Sequence, residues 1–518
     1  MSDLTADDIF TSGMSAPMPA AVKAVRKVAK GEDLDDELAN TEAALASLFA
    51  FAHADRLQYD FRRKCWMVYD RGIWRQDRTG EAQRLLQSWC ETRVFDQVAS
   101  AMTNRDASAM RNAARRSLTA RTLRALLELA STQLPLANSG EAWDVDPFLL
   151  VTIDGTVIDL RDGRSRRATP DDRLTLRCGV PYDPAATCDA FRAFVTAVCD
   201  DDPAQVRLLQ LLAGYAATGA TSEQVFAILI GSGSNGKSTL LEIWRHVLGT
   251  YSATVPFHIL LRDRDTRSIP VEIAQLPGVR MAGASEVRDG AMLDEGRIKA
   301  LSGDDTLTAR GLYQAPFEFK SRAKLVLCCN KLPRVDDRSH AFWRRAIVIP
   351  FKRTFDGSTR DNSLSEKLRG EGAGILNWII EGAVDWYREG LPKVAAAEVA
   401  KADWRESQDL IAQWADVTLK ADTEGRLKAS EAFKAFCDWA TAEGLSDRER
   451  PGSRTFGEWM SDHFVKNTSN KGRSYQASIV KGEGLEADPV NPLTCAQGES
   501  STNTLHTLHP SPTGGLRV

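Results

Sequence analysis

The 518-residue sequence predicts an α/β protein: a parallel-sheet core built around a phosphate loop, with an α+β region before it and a small helix–helix–hairpin module after it. Three observations carry this. Residues 231 to 239 read Gly-Ser-Gly-Ser-Asn-Gly-Lys-Ser-Thr, directly behind the apolar run Val225 to Ile230, which is the strand–loop–helix context a phosphate loop needs. Over about the next 130 residues, apolar strand patterns alternate with helical ones, as a parallel sheet requires. Before this stretch short aromatic alternations recur, and beyond Phe351 the pattern is mainly helical.

The remaining elements follow in order. Residues 1–40 are rich in Ala and Asp with little periodicity, and predict a loosely attached leader. Residues 41–188 form the α+β region, with a helix from Thr41 to Ala54, hairpin strands over Leu57 to Asp77 turning at Arg62-Arg63 and Arg71-Gly72, helices from Glu81 to Ser131, and strands over Leu149 to Leu160. The core with its helical flanks spans 189–420. At 427–481, two helices and a basic hairpin turning at Asn470-Lys471-Gly472 have the outline of a winged helix. Residues 487–518 are rich in Pro, Gly, Ser, Thr and Asn, and predict disorder.

Composition narrows the function classes. No uncharged apolar stretch approaches the roughly 20 residues of a membrane span, and Met1 to Phe10 carries three Asp and no basic residue, unlike a secretory signal. The nine cysteines contain no C-x-x-C pair, so neither a disulfide framework nor a zinc ribbon is indicated, and a cytoplasmic setting is expected. Net charge is −4, but local patches matter more for nucleic acid: Arg105, Arg111, Arg115, Arg116, Arg121 and Arg124 form one, and Arg448, Arg450, Arg454, Lys466, Lys471 and Arg473 another. Either patch is equally explained as a solvated face. Asp144-Val145-Asp146 has the spacing of a polymerase metal pair, but lacks a third carboxylate and a histidine in register.

The chemistry concentrates around residues 231 to 345. Gly231, Ser232, Gly233, Ser234, Asn235 and Gly236 let successive backbone N–H groups point at a phosphate, and the helix opening at Lys237 adds its positive end. Lys237 reaches the β and γ phosphates of a nucleotide, Ser238 ligates Mg²⁺, and Thr239 lines the loop. Downstream, Arg280 to Glu286 is a strand ending in an acid suited to orient an attacking water. Lys324 to Cys329 ends in Asn330, whose amide can sense the γ-phosphate. Trp343-Arg344-Arg345 then offers a guanidinium for transition-state charge.

With GSGSNGKST, RMAGASE, IKALSGD, LVLCCN and FWRRAIVIPF in this order, the chain resembles superfamily 3 helicases, specifically the helicase part of the phage and plasmid primases related to the poxvirus primase-helicase. The resemblance runs from about Leu45 to Lys481. It implies an AAA+-like P-loop ATPase core using ATP and Mg²⁺, a hexameric ring of identical subunits, DNA as single strand and fork, and 3′ to 5′ movement. Residue by residue, it implies Glu286 as the second motif's acid, also near the metal, Asn330 as sensor, Arg345 (Arg344 as second choice) as the finger into a neighbour's site, and Lys299 as a basic contact across the interface. Thr306 to Phe319 corresponds to a DNA-gripping hairpin with Arg310 and Tyr313 near its tip, and Lys466, Lys471 and Arg473 of the wing also face DNA. Ser285 stands where viral relatives often carry a second acid. Two other readings stay open: an ATP-controlled loader that recruits a primase at an origin without unwinding, and a primase-helicase that also makes primers.

Overall fold

A computed structural model describes residues 41–100, 119–262, 271–285, 291–303, 305–311, 316–336, 340–357, 361–445, 450–469 and 472–479. The leader 1–40, the tail 487–518, Arg105, Arg111, Arg115, Arg116, Arg448, Glu286, Tyr313 and Lys471 lie outside these residues. The chain divides into two compact units, 1–408 and 409–518.

The first unit opens with helix Glu42–Ala52, whose start is fixed by the Thr41 hydroxyl accepting the Ala44 N–H at 3.2 Å. Strands β1 (Leu57–Asp60), β2 (Cys65–Asp70) and β3 (Ile73–Gln76) follow as an antiparallel meander that turns where the sequence indicated. β4 (Ala137–Asn138) joins its edge to give the order β3-β2-β1-β4. Helices Glu81–Ser100 and Ala120–Ser131 belong to the same region, and Leu86, Leu123 and Leu126 share a core with Phe49 and Val68. A second small sheet contains β5 (Leu149–Val151), β6 (Thr156–Asp159) and β7 (Ser165–Arg167).

Two helices, Asp189–Val198 and Pro203–Ala217, lead into the large sheet. Its strands are β8 (Phe226–Ile230), β9 (Ser252–Thr254), β10 (Met281–Ser285), β13 (Lys324–Cys329) and β14 (Ala346–Pro350), and β11 (Thr306–Ala309) and β12 (Phe317–Lys320) form a separate antiparallel hairpin. The five strands are parallel in the order β14-β8-β13-β10-β9. Every β13 residue is buried, as in a sheet covered on both faces. Helix Gly372–Glu389 crosses the helix 203–217 so closely that a Cβ on Gly214 would lie 2.1 Å from the Ala383 nitrogen. Small residues are therefore a geometric requirement there, independent of helix propensity.

The α+β region and the core pack as one unit, Arg280 fastens the two together, and Lys324 is buried beside it. Arg280, 1% exposed, donates to the carbonyls of Ala217 (2.8 Å) and Leu149 (2.7 Å), and lies over the Tyr251 ring at 4.3 Å. Lys324, 2% exposed, donates to the carbonyls of Thr218, Ala220 and Arg322. Burial pushes its pKa well down, and the positive charges of Arg280 and Arg322 add to this. The Asp144-Val145-Asp146 segment is part of the same joint. Asp144 accepts from both the backbone N–H and the hydroxyl of Thr175, while Asp146 accepts the Phe148 N–H at 2.8 Å and pairs with Arg161 at 2.9 Å. These carboxylates hold turns rather than a metal, and no metal-binding cluster of acids, His or Cys occurs among the described residues.

In the second unit, helices Leu410–Thr418, Ala429–Ala442 and Ser453–His463 surround an aromatic core in which Trp414 meets Phe456 at 5.4 Å. The boundary placed at 420 from the sequence falls instead before residue 409, because Trp414 packs on this core. Short strands β15 (Leu419–Ala421), β16 (Leu427–Lys428), β17 (Lys466–Ser469), β18 (Gly472–Tyr475) and β19 (Ala477–Ile479) complete it, with β17 and β18 paired as the expected hairpin.

Candidate functional site

The parallel sheet dictates where chemistry can gather. In such sheets ligands bind beyond the carboxyl ends of the strands, where chain connections diverge to either side. β8 is flanked by β14 and β13, so the loop leaving β8 at Gly231 lies beside the end of β13 at Asn330. Next in the sheet is β10, whose last residue Ser285 pairs with Cys328. The separate sequence segments 231–239, 285 and 330 are thus brought to one edge by strand order.

The loop itself is tightly determined. Gly236 caps the helix Lys237–Leu248 with φ +83°, and a Cβ there would lie 2.7 Å from Val198 and 2.9 Å from Phe194. Asn235 is buried and donates through Nδ2 to the Phe351 carbonyl at 3.3 Å. The segment following β14 folds over the loop, with Phe351 N–H on the Ile230 carbonyl and Phe355 N–H on the Ser234 carbonyl, both at 2.7 Å. Ser232, Ser234 and Ser238 are exposed, and Gly231, Gly233 and Thr239 are half-buried.

Lys237 is the centre of the arrangement. Only 4% exposed, its Nζ donates to the Gly231 carbonyl at 2.8 Å, to Asn235 Oδ1 at 2.7 Å and to Asn330 Oδ1 at 3.4 Å. All three acceptors are neutral. Burial lowers the Lys237 pKa below the usual lysine value, opposed by the neighbouring Cys328 and Cys329. An ammonium held without a carboxylate, beside exposed loop N–H groups at a helix N-terminus, fits an anionic phosphate chain. The sign of the pH effect follows: a bound phosphate raises the Lys237 pKa back up, so anion binding takes up a proton at alkaline pH. Nucleotide affinity should therefore stay flat near neutrality and fall as pH rises through the lowered pKa, measurable by titration calorimetry in buffers of different ionisation enthalpy.

Beside the loop opens a cleft of about 600 Å³, lined by Phe194 and Ala197 of the helix 189–198, Gly236 and Thr239 of the loop, Phe355, and Asp361 with Lys367. Asp361 accepts from Lys367 Nζ (2.7 Å) and from Ser363, so its charge is already matched. Neither Phe355 nor the role of Asn235 as a partner of the lysine was signalled by the sequence pattern. Asn235 bonds the lysine from within the loop, two residues away, whereas Asn330 reaches it only because β13 lies beside β8.

The remaining candidates lie apart from this edge. Arg344 and Arg345 precede β14, and the Arg345 carbonyl accepts the Phe226 N–H at the amino end of β8. Five strand residues, about 16 Å at the usual rise, separate that end from Gly231. Both guanidinium groups reach Gln224 Oε1, at 2.7 Å from Arg344 and 3.3 Å from Arg345. Arg345 Nε is buried with no hydrogen-bond partner among the described residues. Lys299 is half-buried in the last turn of the helix Glu295–Ser302. Arg310 is exposed just past β11. In the second unit Lys466 and Arg473 are exposed on the β17–β18 hairpin.

Residues 46–200 match the family described as "D5 N terminal like", and residues 229–345 match a family of unknown function (DUF5906). A protein named as a putative helicase in Acanthamoeba polyphaga mimivirus is 28% identical over 316 residues, covering 56% of this chain and 33% of its own length. Another named as a putative helicase, from Frog virus 3, is 28% identical over 243 residues, 43% of this chain and 25% of its own. One named as a putative primase in African swine fever virus is 27% identical over 147 residues, 28% of this chain and 15% of its own. These likenesses place the chain alongside viral proteins named as putative helicases and primases. The chain spans a third or less of the length of the curated relatives it matches. Its mixed α/β fold with a parallel sheet is similar to the apo C-terminal region of NrS-1, at TM-score 0.50 and 10% identity, covering 85% of this chain and 100% of that one. No helix among the described residues is long and apolar enough to cross a membrane.

Proposed function

We propose that this chain is an ATP-driven DNA helicase of superfamily 3, assembling as a six-membered ring of identical subunits and moving 3′ to 5′ in the replication of a phage or plasmid-like element. The observation that carries the reading is the Lys237 ammonium, buried among neutral acceptors at the loop edge, with Asn330 delivered to it by the neighbouring strand. The loop N–H groups and Lys237 hold the β and γ phosphates, and the cleft beside Thr239 takes the nucleoside. Mg²⁺, held through the exposed Ser238 with Glu286 near it, supplies charge neutralisation on the phosphates. Glu286 orients the attacking water, and Asn330 registers the γ-phosphate.

Arg345 lies too far along the strands to serve the site of its own subunit, which supports a role at a neighbour's. Lys299 acts at the same interface. The β11–β12 hairpin, with Arg310 and Tyr313 at its tip, grips DNA, and Lys466, Lys471 and Arg473 add phosphate contacts. A primase or origin-binding protein is the further partner this role calls for. The names of the relatives support a replication role, and the structural engagement of Asp144 and Asp146 argues against primer synthesis by that pair.

The test is strand displacement on forked DNA. ATP-dependent opening of a fork with a 3′ single-stranded arm, and none with only a 5′ arm, is the expected result. DNA-stimulated hydrolysis with no opening of any fork would favour the loader instead.

A further inference from the structure

The tight turn between β1 and β2 reads Phe61-Arg62-Arg63-Lys64, and all four residues are exposed, Phe61 to 47%. A solvated basic turn is ordinarily loose, whereas this one is anchored at its base. Asp60, fully buried, accepts the Arg63 N–H at 2.7 Å through one oxygen and the Trp143 indole N–H at 2.8 Å through the other. The Phe61 N–H is bound to the Asn138 carbonyl at 2.9 Å, its ring meets Tyr59 edge-on at 5.0 Å, and Lys64 completes the turn at φ +54°. An apolar ring is thus held out in water at a fixed place, next to a run of three cations.

Two neighbours say what it faces. Arg62 donates to the Glu318 carbonyl on β12 at 2.9 Å, so the turn abuts the stem of the β11–β12 hairpin although more than 250 residues separate them in sequence. On its other side, Arg63 lines a cleft of about 420 Å³ together with Trp74, Arg75, Gln76 and Arg78. Among the described residues, no acid lines that cleft. The nearby carboxylates are already engaged: Asp70 and Glu81 pair with Arg75, at 3.3 and 2.5 Å, and Asp77 accepts the N–H groups of Thr79, Glu81 and Ala82. Arg63 keeps a partial partner in Asp60 at 3.6 Å.

We propose that the Phe61–Lys64 turn is a second contact for single-stranded DNA, with Phe61 stacking on a base, Arg62 and Lys64 meeting phosphates, and Arg63 and Arg78 carrying the phosphate track into the cleft. An aromatic face beside cations is the chemistry that holds single strands without reading sequence. The inference rests on the proposed DNA-binding role but not on any step of hydrolysis.

Binding of the full chain to labelled oligo(dT) is measured against salt, for wild type, Arg62→Gln/Lys64→Gln, Phe61→Ala and Phe61→Tyr, with melting temperatures as a check on folding. The double variant should flatten the log–log salt slope by about 1.4, from roughly 0.7 per lost phosphate contact. Phe61→Ala should weaken binding about fivefold or more, and Phe61→Tyr should keep wild-type affinity, since one stacked base is worth about 1–3 kcal/mol. Wild-type binding with an unchanged slope in the double variant and unchanged affinity in Phe61→Ala would overturn this inference alone, and would assign the turn to a protein partner or to solvent. If wild type fails to bind oligo(dT), the DNA-binding role and this inference fall together.

Discussion

Replacing Lys237 by Ala should lower ATP turnover by about a thousandfold or more, the scale on which a transition-state cation contributes to phosphoryl transfer. The side chain lies at the loop edge and contacts only polar acceptors, so its removal leaves the hydrophobic core behind β8 and β13 intact. The melting temperature should consequently change little. Truncation leaves Asn235 Oδ1 and the Gly231 carbonyl facing a small polar space that water can fill, which keeps the structural cost low. Turnover is checked by phosphate release at saturating ATP, and affinity by equilibrium titration with a non-hydrolysable analogue. Normal turnover with normal melting would show that hydrolysis, if present, occurs elsewhere.

The second large effect is expected at Arg345. Its guanidinium sits beyond the amino end of β8, about 16 Å of strand from the phosphate loop of its own subunit, and shares Gln224 with Arg344. Burial, then the positive charge of Arg344, pulls its pKa down, with Asp305 opposing the shift, so two adjacent cations are held together at this end of the sheet. Such a pair is suited to an incoming anion. Arg345→Ala should reduce turnover by on the order of a thousandfold, as loss of an arginine finger does, while binding of nucleotide to its own intact loop persists. Arg344→Ala should have the smaller effect. An Arg345→Ala protein that turns over ATP normally would remove the arginine from the reaction.

Much of this was legible in the sequence because local chemistry and fold agreed there. The glycines and the apolar run ahead of Gly231 specify strand, loop and helix together, and the structure places them so. The β1–β2–β3 meander was readable from alternating aromatics and from Arg71-Gly72, which sits at positive φ as a tight turn demands. What was not legible depends on strand order. That β13 lies beside β8, bringing Asn330 to Lys237, follows from crossovers no periodicity reports. The burial of Arg280 and Lys324 has no signature in sequence, because their partners are backbone carbonyls at Leu149, Ala217 and Thr218. The Asp144-Val145-Asp146 spacing pointed to metal chemistry for a similar reason: Thr175 and Arg161, which occupy the two carboxylates, are 31 and 15 residues away. The helix 410–418 was assigned to the wrong side of a boundary because helical periodicity does not say against which core Trp414 will pack.

The central claim is that one subunit's arginine completes its neighbour's nucleotide site, and mixed rings test it most directly. A Lys237→Ala subunit has a disabled loop and a working finger, and an Arg345→Ala subunit has the reverse. Each alone should be inactive. Mixed, with co-purification of differently tagged subunits showing that they share rings, some interfaces join the intact loop of one to the intact finger of the other, and ATPase activity should return well above either parent. Verified mixed rings that stay as inactive as both parents would contradict the account, placing Arg345 outside the neighbour's site.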